Sequence, residues 1–597
     1  MKLAVAFLLL GACVFAAYYN ALDNEFVFDD FSIVLDYGPV TLAPQDWPKI
    51  FGLAGGEAQY RPLRTLSYAV DFQLGGLDPF VFHLSNLVYH WLASFLAFLA
   101  ASEITSGLGR QAAGTSPGRH RTVAFFASVL WALHPIQTDS VTYVSGRRDI
   151  LAGLFFFLGL YAFLRWRASA GASQRLRRAA WGTLAFSAYV LGVASKEVAV
   201  VLPVMFLVYD LCRARSAEHG VWQDVKGFLR KERALYGCLF GAAVLALVYY
   251  LSYVAPILRW HGGGPLATLA TVPRIWVHYI TLLVVPLTLN ADYFGAFPLS
   301  PSFLEPKAFF AAAAVLGLVG LVLWALKRGE SFFAFCGFWF VATLLPVSQI
   351  LPHPELMAEH YLYLPSFGFC LALAAAVVRV TERWAPRERG YRRAGWRKVF
   401  PAALLRPCGV AIGYGALALL AGLYGARTVV RNRDWQDEGT LWRKTVRTAP
   451  ASPRAHHNLA VALNQRGDRQ GALGEFEKAI VADPGYGPPY TGAAEIYLHW
   501  MRLDEALGFA RKGVELRPKW PWAYMVLGLV HFQRGERQEA VAALERALAL
   551  RSDLLLAYQT LAELYREMGE DNKAAEMRRR SLQRIRPPSL RPDPRQD

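Results

Sequence analysis

The sequence predicts an all-α protein in two parts: a polytopic transmembrane helical domain of about 11 crossings plus one re-entrant segment, then an α-solenoid. Three observations carry this. Hydrophobic residues make up 54% of the 597 residues and charged residues only 18%, against about 25% charged in a soluble chain. The apolar residues gather into runs of bilayer length. Beyond residue 450, prolines recur every 34 residues, at Pro450, Pro484 and Pro518.

The runs lie near 3–20, 81–101, 122–139, 149–165, 179–195, 198–212, 234–254, 273–289, 307–326, 332–351, 361–379 and 401–425. Each is read as a helix, because only a helix satisfies its own backbone in lipid. The first run follows Lys2 and lacks a clear small-x-small cleavage site, so it reads as a retained anchor. The net charge of +17 could suggest nucleic acid. Basic cytoplasmic loops explain it better, and no nucleic-acid partner is expected. Arg110, Arg119 and Arg121 mark 105–121, five Arg mark 165–178, six Lys/Arg mark 213–233 and eight mark 379–398. Lys327 and Arg328 follow the run 307–326. The loop 21–79 is the reverse, with nine acids against Lys49, Arg61 and Arg64, and should face outward.

If every run crossed, the basic loop 379–398 would fall outside. The short run 273–289 carries Arg274 and His278 and is bounded by Pro273 and Pro286. Treating it as re-entrant puts every basic loop inside and leaves eleven crossings. The N-terminus is then cytoplasmic and the C-terminus external. Cys13, Cys212, Cys238, Cys336, Cys370 and Cys408 all lie in or beside apolar runs, which is neither a disulfide framework nor a zinc spacing.

A 34-residue period is the tetratricopeptide signature. Small residues such as Ala460, Ala472, Ala494, Ala506, Gly528, Ala540 and Ala562 fall in phase, as do aromatics such as Phe476, Tyr490, Tyr497, Tyr524, Tyr558 and Tyr565. Four repeats are expected over 453–584, with fraying in the fourth. A connecting helix is expected over 427–452, and a disordered Pro/Arg-rich tail over 585–597. Residues 1–426 form the membrane domain. Such repeats offer a groove for an extended peptide or helix, or else act as a spacer.

Polar clusters converge on the outer side. Asp29 and Asp30 follow the first span, either as a base or cation site or as a solvating pair. Arg61 follows in the same loop. His83, Asn86 and His90 share one helix face, as satisfied core groups or an interior polar face. His134 and Asp139 close the third run; Arg147 and Asp149 open the fourth. Arg147 would bind a phosphate, or pair with Asp139 or Asp149. Lys196 and Glu197 sit between the fifth and sixth runs, Asp292 follows the re-entrant run, and Glu359 and His360 open the eleventh crossing. No metal site is expected.

The motifs Phe26-Val27-Phe28-Asp29-Asp30, Tyr60-Arg61-Pro62-Leu63, Gly76-Leu77-Asp78-Pro79 with His83, Leu133-His134-Pro135 with Gly146-Arg147, Lys196-Glu197 and Glu359 to Ser366 resemble the transmembrane and tetratricopeptide-repeat O-mannosyltransferase family, in a bacterial form. The resemblance spans nearly the whole chain. It implies a C-type glycosyltransferase that moves a sugar, mannose or another hexose, from a polyprenyl-phosphate donor to Ser/Thr of an exported protein held by the repeats. No cofactor is implied, the lipid-linked sugar being a substrate. Asp29 or Asp30 would be the base. Arg61, His83, His134, Arg147, Lys196, Glu197, Asp292, Glu359 and His360 would bind the donor phosphate or substrate. Asp139 and Asp149 stand where Glu is usual, and His360 where Arg is usual. The expected location is the bacterial inner membrane with periplasmic repeats. The same chemistry on a glycolipid or envelope polysaccharide, and a non-catalytic envelope scaffold, are the alternatives.

Overall fold

The computed structural model describes residues 2–35, 40–51, 61–113, 117–169, 174–214, 221–254, 260–384 and 402–585. Parts of the outward loop, including Tyr60, most of the basic loop 379–398 and the tail beyond Ile585 lie outside the described residues. Among the described residues the regular structure is entirely helical.

Seven helices are long and apolar enough to cross a membrane among the described residues: Leu3–Ala21, Pro79–Leu108, Val144–Ala168, Arg233–Ser252, Pro265–Val284, Pro306–Lys327 and Ala411–Trp435. Ser331–Val347 and Pro365–Thr381 are shorter apolar helices. The run 179–195 folds within Arg175–Ser195, the run 122–139 leaves its helix at Leu133 for the short turns Pro135–Gln137 and Thr138–Val141, and the run 198–212 begins in the turn Glu197–Val201 before the helix Leu202–Ala214. The segment expected to be re-entrant belongs to a 20-residue helix, Pro265–Val284, which starts eight residues before Pro273 and runs through it. Its bounding prolines understated its length: Pro273 is interior, and the first-turn proline is Pro265.

The chain divides into two compact units. The first holds Met1–Ala291 and Pro298–Leu441, the second Asp292–Phe297 and Trp442–Asp597. The core of the first unit is aromatic. The Trp131 ring meets Phe157, Tyr363 and Phe367 edge-on at 5.2, 5.0 and 6.2 Å, and Trp339 stacks on Phe157 at 5.8 Å. Trp131 and Trp339 donate their indole N–H groups to the carbonyls of Tyr363 and Leu364, both at 2.7 Å. These bonds satisfy the only polar atoms in that layer's indoles. Gly153 has no room for a Cβ beside the Tyr363 ring, so the helix Arg147–Ala168 lies close against it.

The second unit contains four helix pairs: Pro453–Gln465 with Arg469–Ala482, Pro488–His499 with Leu503–Leu516, Pro521–Gln533 with Arg537–Leu550, and Leu555–Glu567 with Asp571–Ile585. The fourth pair does not fray: its second helix reaches Ile585 and buries Ala574. The turn inside each pair needs one left-handed residue. Gly467, Gly535 and Gly569 supply it at φ 86°, 75° and 76°. In the second repeat the same place is held by Met501, at φ 58°, where a side chain is strained. The excursion Asp292–Phe297 belongs to this unit. Arg454 Nε donates to Asp292 Oδ2 at 2.8 Å, and its guanidinium lies 4.7 Å over the Phe294 ring.

Candidate functional site

The loop after the first span makes the site. Phe28 is left-handed, at φ 55°. A bulky residue there costs energy and persists only where its surroundings over-determine it. Its N–H donates to the Glu438 carboxylate. Its ring stacks on Tyr143 at 6.2 Å, and Tyr143 stacks on Trp435 at 5.1 Å. The next N–H, of Asp29, donates to Tyr143 Oη at 3.0 Å. Upstream, Glu25 N–H donates to the Gln436 carbonyl at 2.9 Å and Asn24 Nδ2 to the Asn432 carbonyl at 3.1 Å.

The two aspartates differ. Asp30 is wholly buried. Its Oδ1 accepts from Ser145 N–H at 2.8 Å and Ser145 Oγ at 2.5 Å, and its Oδ2 from Val27 N–H at 3.1 Å. Burial pushes its carboxyl up to about 7, although these donors oppose the shift. Asp29 is half-buried. Among the described residues its carboxylate accepts no hydrogen bond; its bonds are made by its backbone.

The expected cations also separate. Arg147 is fully buried and pairs with Asp71, not with Asp139 or Asp149. It also donates from Nε to Asn86 Oδ1 at 2.7 Å, from Nη2 to the Phe82 carbonyl at 2.7 Å and from Nη1 to Ser67 Oγ at 3.3 Å, and lies 4.6 Å over Tyr68. These partners occupy the guanidinium inside the fold. Its neighbour Arg148 was not singled out in the sequence. Among the described residues its close polar contact is Asp149 Oδ2, 3.7 Å from Nε. A double arginine gives no sign of which member faces inward. The alternation becomes clear only once Arg147 is known to start a helix.

Lys196 Nζ donates to Asp149 Oδ1 at 2.6 Å and sits 5.4 Å over the Tyr361 ring. Burial pulls its ammonium down while Asp149 pushes it up. Arg61 pairs with Glu197 at 3.2 Å through Nη2, and its buried Nε and Nη1 have no hydrogen-bond partner among the described residues. Burial would raise the Glu197 carboxyl, but Arg61 and then His353 outweigh it and hold it well below the usual range. His353 adds a contact to Glu197 at 3.6 Å and hydrogen-bonds Tyr361 Oη at 2.5 Å. His360 donates twice to Asp139 Oδ2, from its backbone N–H at 2.8 Å and from Nδ1 at 3.1 Å. Asp149, Lys196, His360, Tyr361 and Tyr363 line one small cavity.

Of the remaining expected residues, His134, Glu359 and Asp292 have partners of their own, while neither ring nitrogen of His83 has a hydrogen-bond partner among the described residues. His134 Nδ1 accepts from Ile136 N–H at 3.2 Å, so Nε2 carries the proton and donates to the Leu283 carbonyl at 3.0 Å. His90 is held by Tyr363 Oη at 2.8 Å and the Ala132 carbonyl at 3.1 Å. His83 is buried near the backbone of Asn24, Glu25 and Thr142. Glu359 pairs with Arg431 at 3.5 Å and accepts from Asn290 N–H. Asp292 belongs to the second unit, on Arg454. The site thus gathers Asp29, Arg61, Arg148, Lys196, Glu197 and His360. Their mutual electrostatic influence joins them: Arg148 feels Asp149 and Asp29, and Lys196 feels Asp149, Arg148, Glu197 and Arg61.

Residues 522–555 match the Tetratricopeptide repeat family model. The mouse protein O-mannosyl-transferase TMTC3 is 24% identical over 96% of this chain and 63% of its own length. The human TMTC3 is 24% identical over 96% of this chain and 64% of its own. The Drosophila melanogaster Tmtc3 is 26% identical over 79% and 54%. The chain therefore spans about two thirds or less of the curated relatives it matches, and these proteins are its homologues over most of its length. Among solved structures, MamA from Desulfovibrio magneticus is 17% identical over 35% of this chain and 94% of its own, with a TM-score of 0.22. A thermophilic tetratricopeptide protein of Thermus thermophilus is 26% identical over 26% and 84%, with a TM-score of 0.23.

Proposed function

We propose that the chain is an integral-membrane glycosyltransferase that moves a hexose, mannose first among them, from a polyprenyl-phosphate donor to Ser/Thr of an exported protein engaged by the repeats. The mouse and human relatives named as protein O-mannosyl-transferases, aligned over 96% of the chain, support the reaction class. The observation that carries the mechanism is the contrast between the two aspartates. Asp30 has its oxygens filled, so it holds the loop. Asp29 has an open carboxylate at the end of the first span, so it is the base.

In this reading Asp29 takes the proton of the acceptor hydroxyl as that oxygen bonds to the anomeric carbon. The bond from that carbon to the phosphate oxygen breaks, and polyprenyl phosphate leaves. General-base assistance contributes about 10²–10⁴-fold. The leaving phosphate gathers charge, and Arg148, Lys196 and the spare N–H groups of Arg61 stand ready to stabilise it. Arg147 holds the fold around them. No cofactor and no metal enters this scheme. In the same reading the protein lies in a bacterial inner membrane, with its N-terminus cytoplasmic and its repeats periplasmic.

The test is mass spectrometry of envelope glycopeptides and glycolipids from cells with wild-type protein and with Asp29→Asn/Asp30→Asn. Loss of a hexose-sized mass from peptides is expected. Loss from lipid or polysaccharide alone would move the acceptor. No change, with the variant well inserted, would overturn the transferase reading.

A further inference from the structure

We propose that Glu438 and Trp435, on the connector 432–441 that closes the first unit at the end of the last span, are positioning residues for the Asp29 carboxylate. This rests on Asp29 being the base.

Two of the hydrogen bonds that hold the chain at Asp29 trace to the connector. The Phe28 N–H is held directly by Glu438. The Asp29 N–H is held by Tyr143 Oη at 3.0 Å, and the Tyr143 ring lies between Phe28 and Trp435. Trp435 is 1% exposed, so this stack is fixed. The left-handed Phe28 turns the chain sharply just before Asp29. The residue type disfavours that conformation, and the local turn bonds between Val27 and Asp30, at 3.0 and 3.1 Å, bracket it. The Glu438 carboxylate and the ring stack add long-range interactions that help to compensate it. Glu25 and Asn24 add two further bonds to carbonyls of the same connector, at 2.9 and 3.1 Å.

Phe28 and Glu438 are 410 residues apart. A few residues past Glu438, at Trp442, the second unit resumes. The connector belongs to the same unit as the spans and Asp29, so it supports the site from within that unit. Its contribution is to the aim of the carboxylate. Misplacing a reacting group by about 1 Å can cost on the order of 10²-fold in rate.

The experiment uses the full-length protein in lipid nanodiscs. Wild type, Glu438→Ala, Glu438→Gln, Trp435→Phe, Phe28→Gly and Phe28→Gly/Glu438→Ala are compared, with Asp29→Asn alongside. Hydrogen exchange is read over residues 24–31, and transfer from short-chain polyprenyl-phosphate mannose to a Ser/Thr peptide is followed. Glu438→Ala is expected to speed exchange at Phe28 and Asp29 and to lower kcat by about tenfold or more, with the donor KM unchanged. Glu438→Gln keeps an accepting oxygen and restores both. Glycine adopts the left-handed conformation freely, so Glu438→Ala has a smaller effect in the Phe28→Gly background. Unchanged exchange in Glu438→Ala, or a Glu438→Gln variant as impaired as Glu438→Ala, would overturn the positioning role. Full transfer by Asp29→Asn would instead overturn the base assignment, and the exchange arm would still decide the contact.

Discussion

The repeats and the polar end of the membrane unit both carry ion pairs, yet they use them in opposite ways. In the repeats many pairs are exposed: Arg537–Glu567 at 3.2 Å has 54% and 36% of its side chains open, and Arg551–Asp553 at 2.7 Å has 51% and 50%. In the membrane unit Arg147–Asp71 is 0% and 1% exposed, and Lys196–Asp149 is 2% and 4%. Water screens the first kind, so each contributes little. The second kind sits where an unpaired charge has no solvent to turn to. The helices of the repeats are held by small residues meeting aromatics, whereas the site is held by charges that balance one another.

The contrast can be broken most strongly at Arg147. Arg147→Ala leaves Asp71 buried and unpaired, and should destabilise the membrane unit by about 3–5 kcal/mol. Thermal unfolding in detergent or nanodiscs measures this, and a change below about 1 kcal/mol would mean that water reaches the pair. Next comes Asp30, whose carboxyl rises from 3.8 to about 7 on folding, chiefly by burial. The folded state then binds more protons than the unfolded state between those values. Its contribution to stability is present at low pH and is lost as pH rises from about 4 to about 7. Asp30→Asn should remove that slope in a comparison of loop hydrogen exchange across pH. A slope that survives the substitution would assign it to another group.

Smaller effects lie in the repeats. Met501→Gly relieves a left-handed side chain, and should stabilise the second repeat by about 1 kcal/mol. The same change at a right-handed exposed helix position should destabilise by about that amount. Equal signs at both places would remove the strain argument. Smallest of all, Arg537→Ala should shift unfolding by about 0–1 kcal/mol, less at high salt.

The division between regions also explains what was legible in the sequence. The repeats show their period because each buries its own face against the next, so Ala460, Ala494, Gly528 and Ala562 recur at fixed spacing. Helix positions in the membrane unit were legible for the same local reason, while their ends were not. The run 122–139 stops at Leu133, where His134 caps the next turn, and the run at 273 begins at Pro265. Asp29 and Asp30 stood out as a pair, but their separate roles depend on Ser145, 115 residues from Asp30. The Arg147–Asp71 pair joins two helices distant in sequence, and no spacing rule reaches it. Phe28 is the extreme case. Its residue type argues against a left-handed turn, and the conformation survives with help from Glu438 and the Tyr143–Trp435 stack.

The most direct measurement sets Asp29→Asn beside Asp30→Asn, each as a single change in well-inserted full-length protein, and follows hexose transfer to a Ser/Thr peptide. Asp29→Asn should lower kcat by about 10²–10⁴-fold with little change in unfolding temperature. Asp30→Asn should loosen the loop and reduce transfer less. Near-normal turnover by Asp29→Asn with a dead Asp30→Asn variant would contradict the account and move the base to the buried carboxyl.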